Sequence, residues 1–330
     1  MARIKAATVA FSPLLAILAA CHSVAPDVPI ASANQSTTTA AAPRANLCSD
    51  LLDGQASQFE LTVADADGRP IPITVFFPYQ PGTYRLIAFS HGAFAAPDRY
   101  LAMLQPLAAS GYIVVAPMHI DSEEMERREP PSQSELWNTR NIDMQMALAP
   151  SSRIIGELAE RGFAIADAGP IAMGHSFGSV MAHFASGVRS TAEAGDLTVR
   201  QIEGIGAVIA WSPPGAMEGV INQMSWSELA APSLTLTGTT DVLPGFVDDW
   251  TLRKVPFEQA PAGTSELWVG EGIDHYFGGM FGRERPADAQ SQALFDRAIA
   301  QTLAFIHRST NVAKPCVPGA LIAGETYETR

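Results

Sequence analysis

The order of segments along the chain predicts one α/β domain, with a mostly parallel sheet of about eight strands, an antiparallel hairpin at its start and helices on both faces. Three observations carry this expectation. Short runs that are apolar at every position recur after residue 85, as strands covered on both faces require. Segments with helical periodicity fall between several of them. One strand-to-helix junction reads Gly174-His-Ser176-Phe-Gly178.

Taken in order, residues 1–21 hold Arg3 and Lys5, an apolar run from Ala6 to Ala20, and then Leu18-Ala-Ala-Cys21. A short basic start followed by an apolar stretch below spanning length reads as an export signal. Its last four residues resemble the lipobox of bacterial lipoproteins, in which the signal is cut before a cysteine that is then lipidated. The expectation is a signal peptide over 1–20, lipid attachment at Cys21, and an exported protein anchored at the periplasmic or cell surface, with the outer membrane as its site. The alternative is ordinary cleavage near Ala31-Ser32-Ala33. Residues 21–47 are rich in Ala, Ser, Thr and Pro with few large apolar side chains, and read as a disordered tether. With Cys21 assigned to lipid, Cys48 and Cys316 remain. In a compartment that permits oxidation they are expected to form a disulfide, the alternative being two separate core residues.

The folded domain is expected over 48–330, including a C-terminal tail at 308–330. Phe59–Val63 and Ile71–Phe77, separated by the turn signal Asp65-Ala-Asp-Gly68, predict the hairpin. Apolar runs at 85–89, 112–116, 170–173, 205–211, 233–237 and 265–269 predict the remaining strands, and 98–110, 135–161, 178–187 and 287–307 the helices. The stretch after Trp211 is long enough for a short flap but not for a large lid domain.

Composition removes several function classes. With 34 acidic against 21 basic residues in 330, the formal charge is −13, the wrong sign for a protein that tracks nucleic-acid phosphates. His119-Ile-Asp121 has no third ligand nearby, Gly204-Ile-Gly206 precedes a strand instead of a helix, and no P-loop is present. No metal and no cofactor are expected.

Gly174–Gly178 has the G-x-S-x-G form of a nucleophile elbow, in which a tight strand–turn–helix junction lifts the serine above the sheet. A serine hydroxyl needs a base to take its proton, and a third group to orient that base. Of the histidines beyond the elbow helix, His307 falls within a regular helical pattern. His275 lies in a Gly-rich loop just past the last predicted strand, and is the expected base. Asp241 follows the 233–237 strand at its carboxyl end, where ligands gather in open α/β sheets, and is the expected acid. Asp274, Asp248 and Asp249 are the competitors. Two backbone N–H donors for a developing oxyanion are expected from Phe177 and from Ala93, in Phe89-Ser-His-Gly92-Ala-Phe94, with Gly92 allowing the sharp turn.

With Phe-Ser-His-Gly-Ala-Phe at 89–94, Leu-Ala-Ala-Ser-Gly-Tyr-Ile-Val-Val-Ala-Pro at 107–117, Gly-His-Ser-Phe-Gly at 174–178 and the acid and histidine loops in order, residues 59–307 resemble α/β-hydrolases. More narrowly they resemble platelet-activating-factor acetylhydrolases and dienelactone-hydrolase-like bacterial esterases. The resemblance implies an α/β-hydrolase fold, a Ser176–Asp241–His275 triad with Ala93 and Phe177 as oxyanion donors, and ester hydrolysis through an acyl-enzyme. Thioester, amide and polyester cleavage use the same machinery, and a surface lipoprotein that kept the fold only for binding is the alternative from another class. Positions at carboxyl strand ends suggest Phe94, Met118, His119, Trp211, Met217 and Tyr276 as lining for a small ester, with Trp226 a further candidate. The charged segment 121–131 has no assigned role.

Overall fold

The computed structural model describes residues 47–330, apart from 127–128, 193–196, 198, 200, 283–287 and 312–315. The expected signal, Cys21 and the tether up to residue 46 lie outside the described residues, as do two positions of the charged loop. Among the described residues no helix is long and apolar enough to cross a membrane.

These residues form one mixed sheet of ten strands. The hairpin pairs β1 (Ala56–Ala64) antiparallel with β2 (Pro70–Pro78), Val63 opposite Ile71 and Phe59 opposite Val75. Its turn is held by the Asp65 carboxylate, which accepts from the N–H groups of Asp67 and Arg69. β2 runs antiparallel to β4 (Tyr112–Pro117). From β4 the sheet continues parallel through β3 (Gly82–Ser90), β6 (Ile171–His175), β7 (Ala207–Trp211), β8 (Ser233–Thr240) and β9 (Ser265–Asp274). β5 (Phe163–Ile165) pairs with the first residues of β3, and β10 (Glu325–Thr329) closes the β9 edge antiparallel.

The helices cover both faces. α1 (Leu101–Ala109) and α6 (Ala289–Ser309) pack on one, and α2 (Gln133–Leu148), α3 (Ser152–Glu160) and α4 (Phe177–Ala185) on the other, with the short α5 (Val255–Gln259) between β8 and β9. The runs that are apolar at every position now resolve: Leu86 and Ala88 face α2 and α4, while Ile87 and Phe89 face α1 and α6. The predicted helix 135–161 divides in two, because Pro150 offers no N–H and disfavours helical backbone at Ala149, whose φ is −127° and ψ 76°.

Strand order reverses at β3, which has β4 on one side and β6 on the other. The carboxyl ends of β3 and β6 therefore border a crevice, the place where open α/β sheets bind ligands. At the far end of the molecule Cys48 and Cys316 form a disulfide, with a Cα–Cα distance of 4.9 Å and both residues buried. Leu47 pairs with Val317 beside it.

Candidate active site

The segment between β6 and α4 is as tight as the motif requires. Ser176 has φ 52° and ψ −121°, a conformation held while its N–H donates to the Trp211 carbonyl at 2.8 Å. A Cβ at Gly174 would overlap the Gly178 carbonyl, and one at Gly178 would overlap the Ser90 carbonyl at the end of β3. Glycine at both positions is thus a matter of close backbone approach.

Across the carboxyl ends of β8 and β9, the structure brings Asp241 and His275 to this serine. His275 Nδ1–H donates to Asp241 Oδ1 at 2.8 Å, and the free Nε2 lies 3.0 Å from Ser176 Oγ, where it accepts the hydroxyl hydrogen. Asp241 is fully buried; Ser176 and His275 keep only 7% and 4% of their surface exposed, a narrow opening onto the reactive atoms. Burial lowers the His275 pKa below the ordinary value, outweighing the hydrogen bond and charge of Asp241, which act upward. Burial works upward on Asp241 and is overcome by the hydrogen bond and charge of His275 and the charge of Arg253, so its carboxyl ionises well below the usual range. The competing acids are occupied elsewhere: Asp274 accepts from the N–H groups of Tyr276 and Gly278, and Asp249 from that of Thr251.

The loop after β3 is held from several sides. Arg140 of α2 donates to the His91 carbonyl at 2.7 Å, to the Gly92 carbonyl at 2.9 Å and to both Asp121 carboxylate oxygens at 2.8 Å. Asp121 in turn accepts the Phe94 N–H at 3.0 Å, and Tyr100 Oη accepts the Gly92 N–H at 3.0 Å. Ala93, exposed at the tip, is left with an N–H that has no partner among the described residues, as is Phe177 at the start of α4. The unusual backbone of this loop falls at Phe94, with φ 63°, and not at Gly92 as expected. Gly92 is needed because a Cβ there would crowd Tyr100 Oη at 3.0 Å and His175 Nδ1 at 3.1 Å.

The Chlorophyllase family model matches residues 52–205, a span that includes the 91–94 loop and the elbow and stops before Asp241 and His275. That family is of the α/β-hydrolase type, and the sheet order and junctions above are those of the same fold. The chain has an α/β-hydrolase fold. Among curated proteins none matches it.

Several groups of the site carry no motif in the sequence. His175, the residue before the serine in the G-x-S-x-G motif, is buried and links the two sides of the crevice. Its Nε2–H donates to the His275 carbonyl at 2.9 Å, and its Nδ1 accepts from Tyr100 Oη–H at 2.9 Å. The hydrogens of Gly92, Tyr100 and His175 therefore all point one way, from the 91–94 loop to His275. Burial, then the neighbouring His275, hold the His175 pKa well below the usual value.

A second Ser–His–Asp set lies beneath the loop. Ser90 Oγ–H donates to His119 Nε2 at 2.7 Å, and His119 Nδ1–H to Asp143 Oδ2 at 2.9 Å. All three are fully buried, out of reach of any molecule in solution; the set braces the end of β3 against α2. His119 is accordingly no part of a pocket wall. Nor is Trp211, fully buried against Phe277, Phe281 and Phe295 at ring distances of 4.8, 5.7 and 6.1 Å. Trp226 is also fully buried. Met118 lines a separate groove of about 410 Å³ with Ile73, Pro97, Asp98 and Glu124, and Met217 packs toward the α4 side of the core. Of the expected lining, Phe94 and Tyr276 stay half-buried next to Ala93 and His275. The stretch 212–228 is pinned by Trp226 and by Arg253, whose Nη1 donates to the Ser212 and Pro213 carbonyls. The charge of the 121–131 segment turns inward at Asp121, where the Arg140 pair lowers the carboxyl pKa against the upward push of burial.

Proposed function

We propose that this protein of α/β-hydrolase fold is a serine carboxylester hydrolase that acts through an acyl-enzyme on short-chain or aromatic esters. The observation that carries the reading is the hydrogen-bonded line from Ser176 through His275 to Asp241, at 3.0 and 2.8 Å, beside two backbone N–H groups with no partner among the described residues. In this reading His275 Nε2 takes the Ser176 proton as Oγ bonds to the carbonyl carbon, and the oxyanion gathers at the Ala93 and Phe177 N–H groups. Collapse breaks the ester C–O bond, and the leaving oxygen takes the proton from His275. Water, deprotonated by the same imidazole, then releases the acid and restores Ser176.

A fluorophosphonate probe tests this. Labelling is expected at Ser176, and Ser176→Ala is expected to lose at least about 10⁴-fold in kcat/KM on p-nitrophenyl esters. An unlabelled protein, or an alanine variant with full turnover, overturns the reading. A panel of increasing acyl length, with aryl, thioester, amide and polyester members and with chlorophyll, to which the family's name points, sorts the substrate class.

The N-terminal reading joins this as a proposal: export, with lipid attached at Cys21. Its support is the Leu18-Ala-Ala-Cys21 sequence behind a basic, apolar start. Incorporation of labelled fatty acid that is lost in Cys21→Ala is the expected result, and equal incorporation in both refutes it.

A further inference from the structure

The acid behind His275 is shared with a cation. Asp241 Oδ1 accepts from His275 Nδ1 at 2.8 Å and stands 2.9 Å from Arg253 Nε, while Oδ2 accepts from Thr237 Oγ1 at 2.8 Å. Arg253 lies in the short helix Trp250–Lys254 and is fully buried. Its Nε also donates to the Asp241 carbonyl at 3.1 Å, and its Nη1 to the carbonyls of Ser212 at 2.9 Å and Pro213 at 3.2 Å. The guanidinium thus grips the acid by side chain and backbone, and touches nothing that a substrate would reach.

A carboxylate behind a histidine supports the positive charge that the ring gains when it takes the serine proton. A guanidinium in contact with the same carboxylate opposes that support, and the opposition is strong where neither charge is screened by solvent. We propose that Arg253 is a positioning residue for the reaction: it fixes the Asp241 carboxylate toward His275 and weakens its hold on a positive ring, which extends the working range of the site to lower pH. This rests on the ester-hydrolase reading above.

The other groups facing His275 do not supply the same effect. Ser176 Oγ, 3.0 Å away, is a neutral hydroxyl, and Tyr276 meets the ring edge to face, with centroids 5.3 Å apart. The His175 ring, 4.8 Å away, is kept neutral by burial. Asp274 is the remaining charge, and acts in the opposite direction to Arg253 and more weakly. Among the described residues, Arg253 is therefore the charged group that disfavours protonated His275.

Full-length Arg253→Met, Arg253→Gln and Arg253→Lys test this through the pH dependence of kcat/KM on p-nitrophenyl butyrate. In Arg253→Met the acid limb is expected to move up by about one pH unit, so that activity one unit below the wild-type limb falls about tenfold beyond any loss on the plateau. Arg253→Lys, which keeps the charge, is expected to hold the limb near its wild-type position. Arg253→Gln keeps a donor to Asp241 without the charge, and gives the same reading should the methionine variant not fold. The ring titration of His275 by NMR, in Ser176→Ala with and without Arg253→Gln, measures the same shift without turnover. An unmoved limb and an unmoved ring titration in a folded, uncharged variant overturn the proposal. Loss of the parent reading looks different: no ester turns over in the wild type, or Ser176→Ala stays active, while the ring titration still reports on Arg253.

Discussion

Tyr100 joins the two halves of the site through one hydroxyl, which accepts from the Gly92 N–H and donates to His175 Nδ1. Phenylalanine at this position would leave both partners unpaired in a buried site, at a cost of about 1–3 kcal/mol. The expected outcome for Tyr100→Phe is a lower urea midpoint at unchanged m-value together with slower turnover, and a wild-type midpoint contradicts it. Nothing in the sequence pointed to Tyr100, since its partner His175 stands 75 positions away and a lone tyrosine ahead of a helix carries no pattern. Ser176, Asp241 and His275 were legible for a different reason. The elbow motif fixes the serine, and the fold fixes the chain order of what must follow it. Arg253 and Arg140 were not legible, because what identifies them is a buried carboxylate reached only after folding.

At the scale of elements, the 91–94 loop keeps its shape because α2 reaches under it. Arg140→Met removes the cation that binds the His91 and Gly92 carbonyls and leaves Asp121 buried without its counter-charge. Loss of about 3–5 kcal/mol is expected. With the Ala93 N–H no longer held in place, fluorophosphonate labelling of Ser176 should slow by at least about tenfold. A variant that unfolds earlier but labels at the wild-type rate would confine Arg140 to stability. Parallel strands covered on both faces were readable as apolar runs, and the hairpin from its turn residues. β10 was not readable, because Glu325-Thr-Tyr-Glu-Thr329 is a polar edge strand with one covered face. β5 escaped because a three-residue strand has no period to detect.

Over the whole molecule, acid sensitivity follows from how many imidazoles are buried in their neutral form. Burial is the first cause that lowers the pKa of His91, His119, His175, His183 and His275, that of His183 to about 3. The unfolded chain binds protons at these rings below about pH 6.5 and the folded chain does not. Their stabilising effect is therefore complete above pH 6.5 and is lost as the pH falls toward the folded values. For His183, held near 3, about 2 kcal/mol should disappear between pH 7 and pH 5, read as a falling urea midpoint that His183→Phe makes shallower, and an equal slope in that variant would contradict the burial. The Cys48–Cys316 bridge, whose ends are 268 positions apart, adds up to about 5 kcal/mol by restricting the unfolded chain, so Cys48→Ser is expected to melt earlier. The same bond decides how the molecule carries mechanical force. Tension applied between its two ends passes straight from Cys48 to Cys316, so the sheet from β1 to β9 and the whole crevice bear no load, and β10 is the strand left to peel away. In a single-molecule pulling experiment the oxidised protein should lengthen only by its terminal segments. Reduction should release a further stretch of about 900 Å as the 268-position loop pulls out.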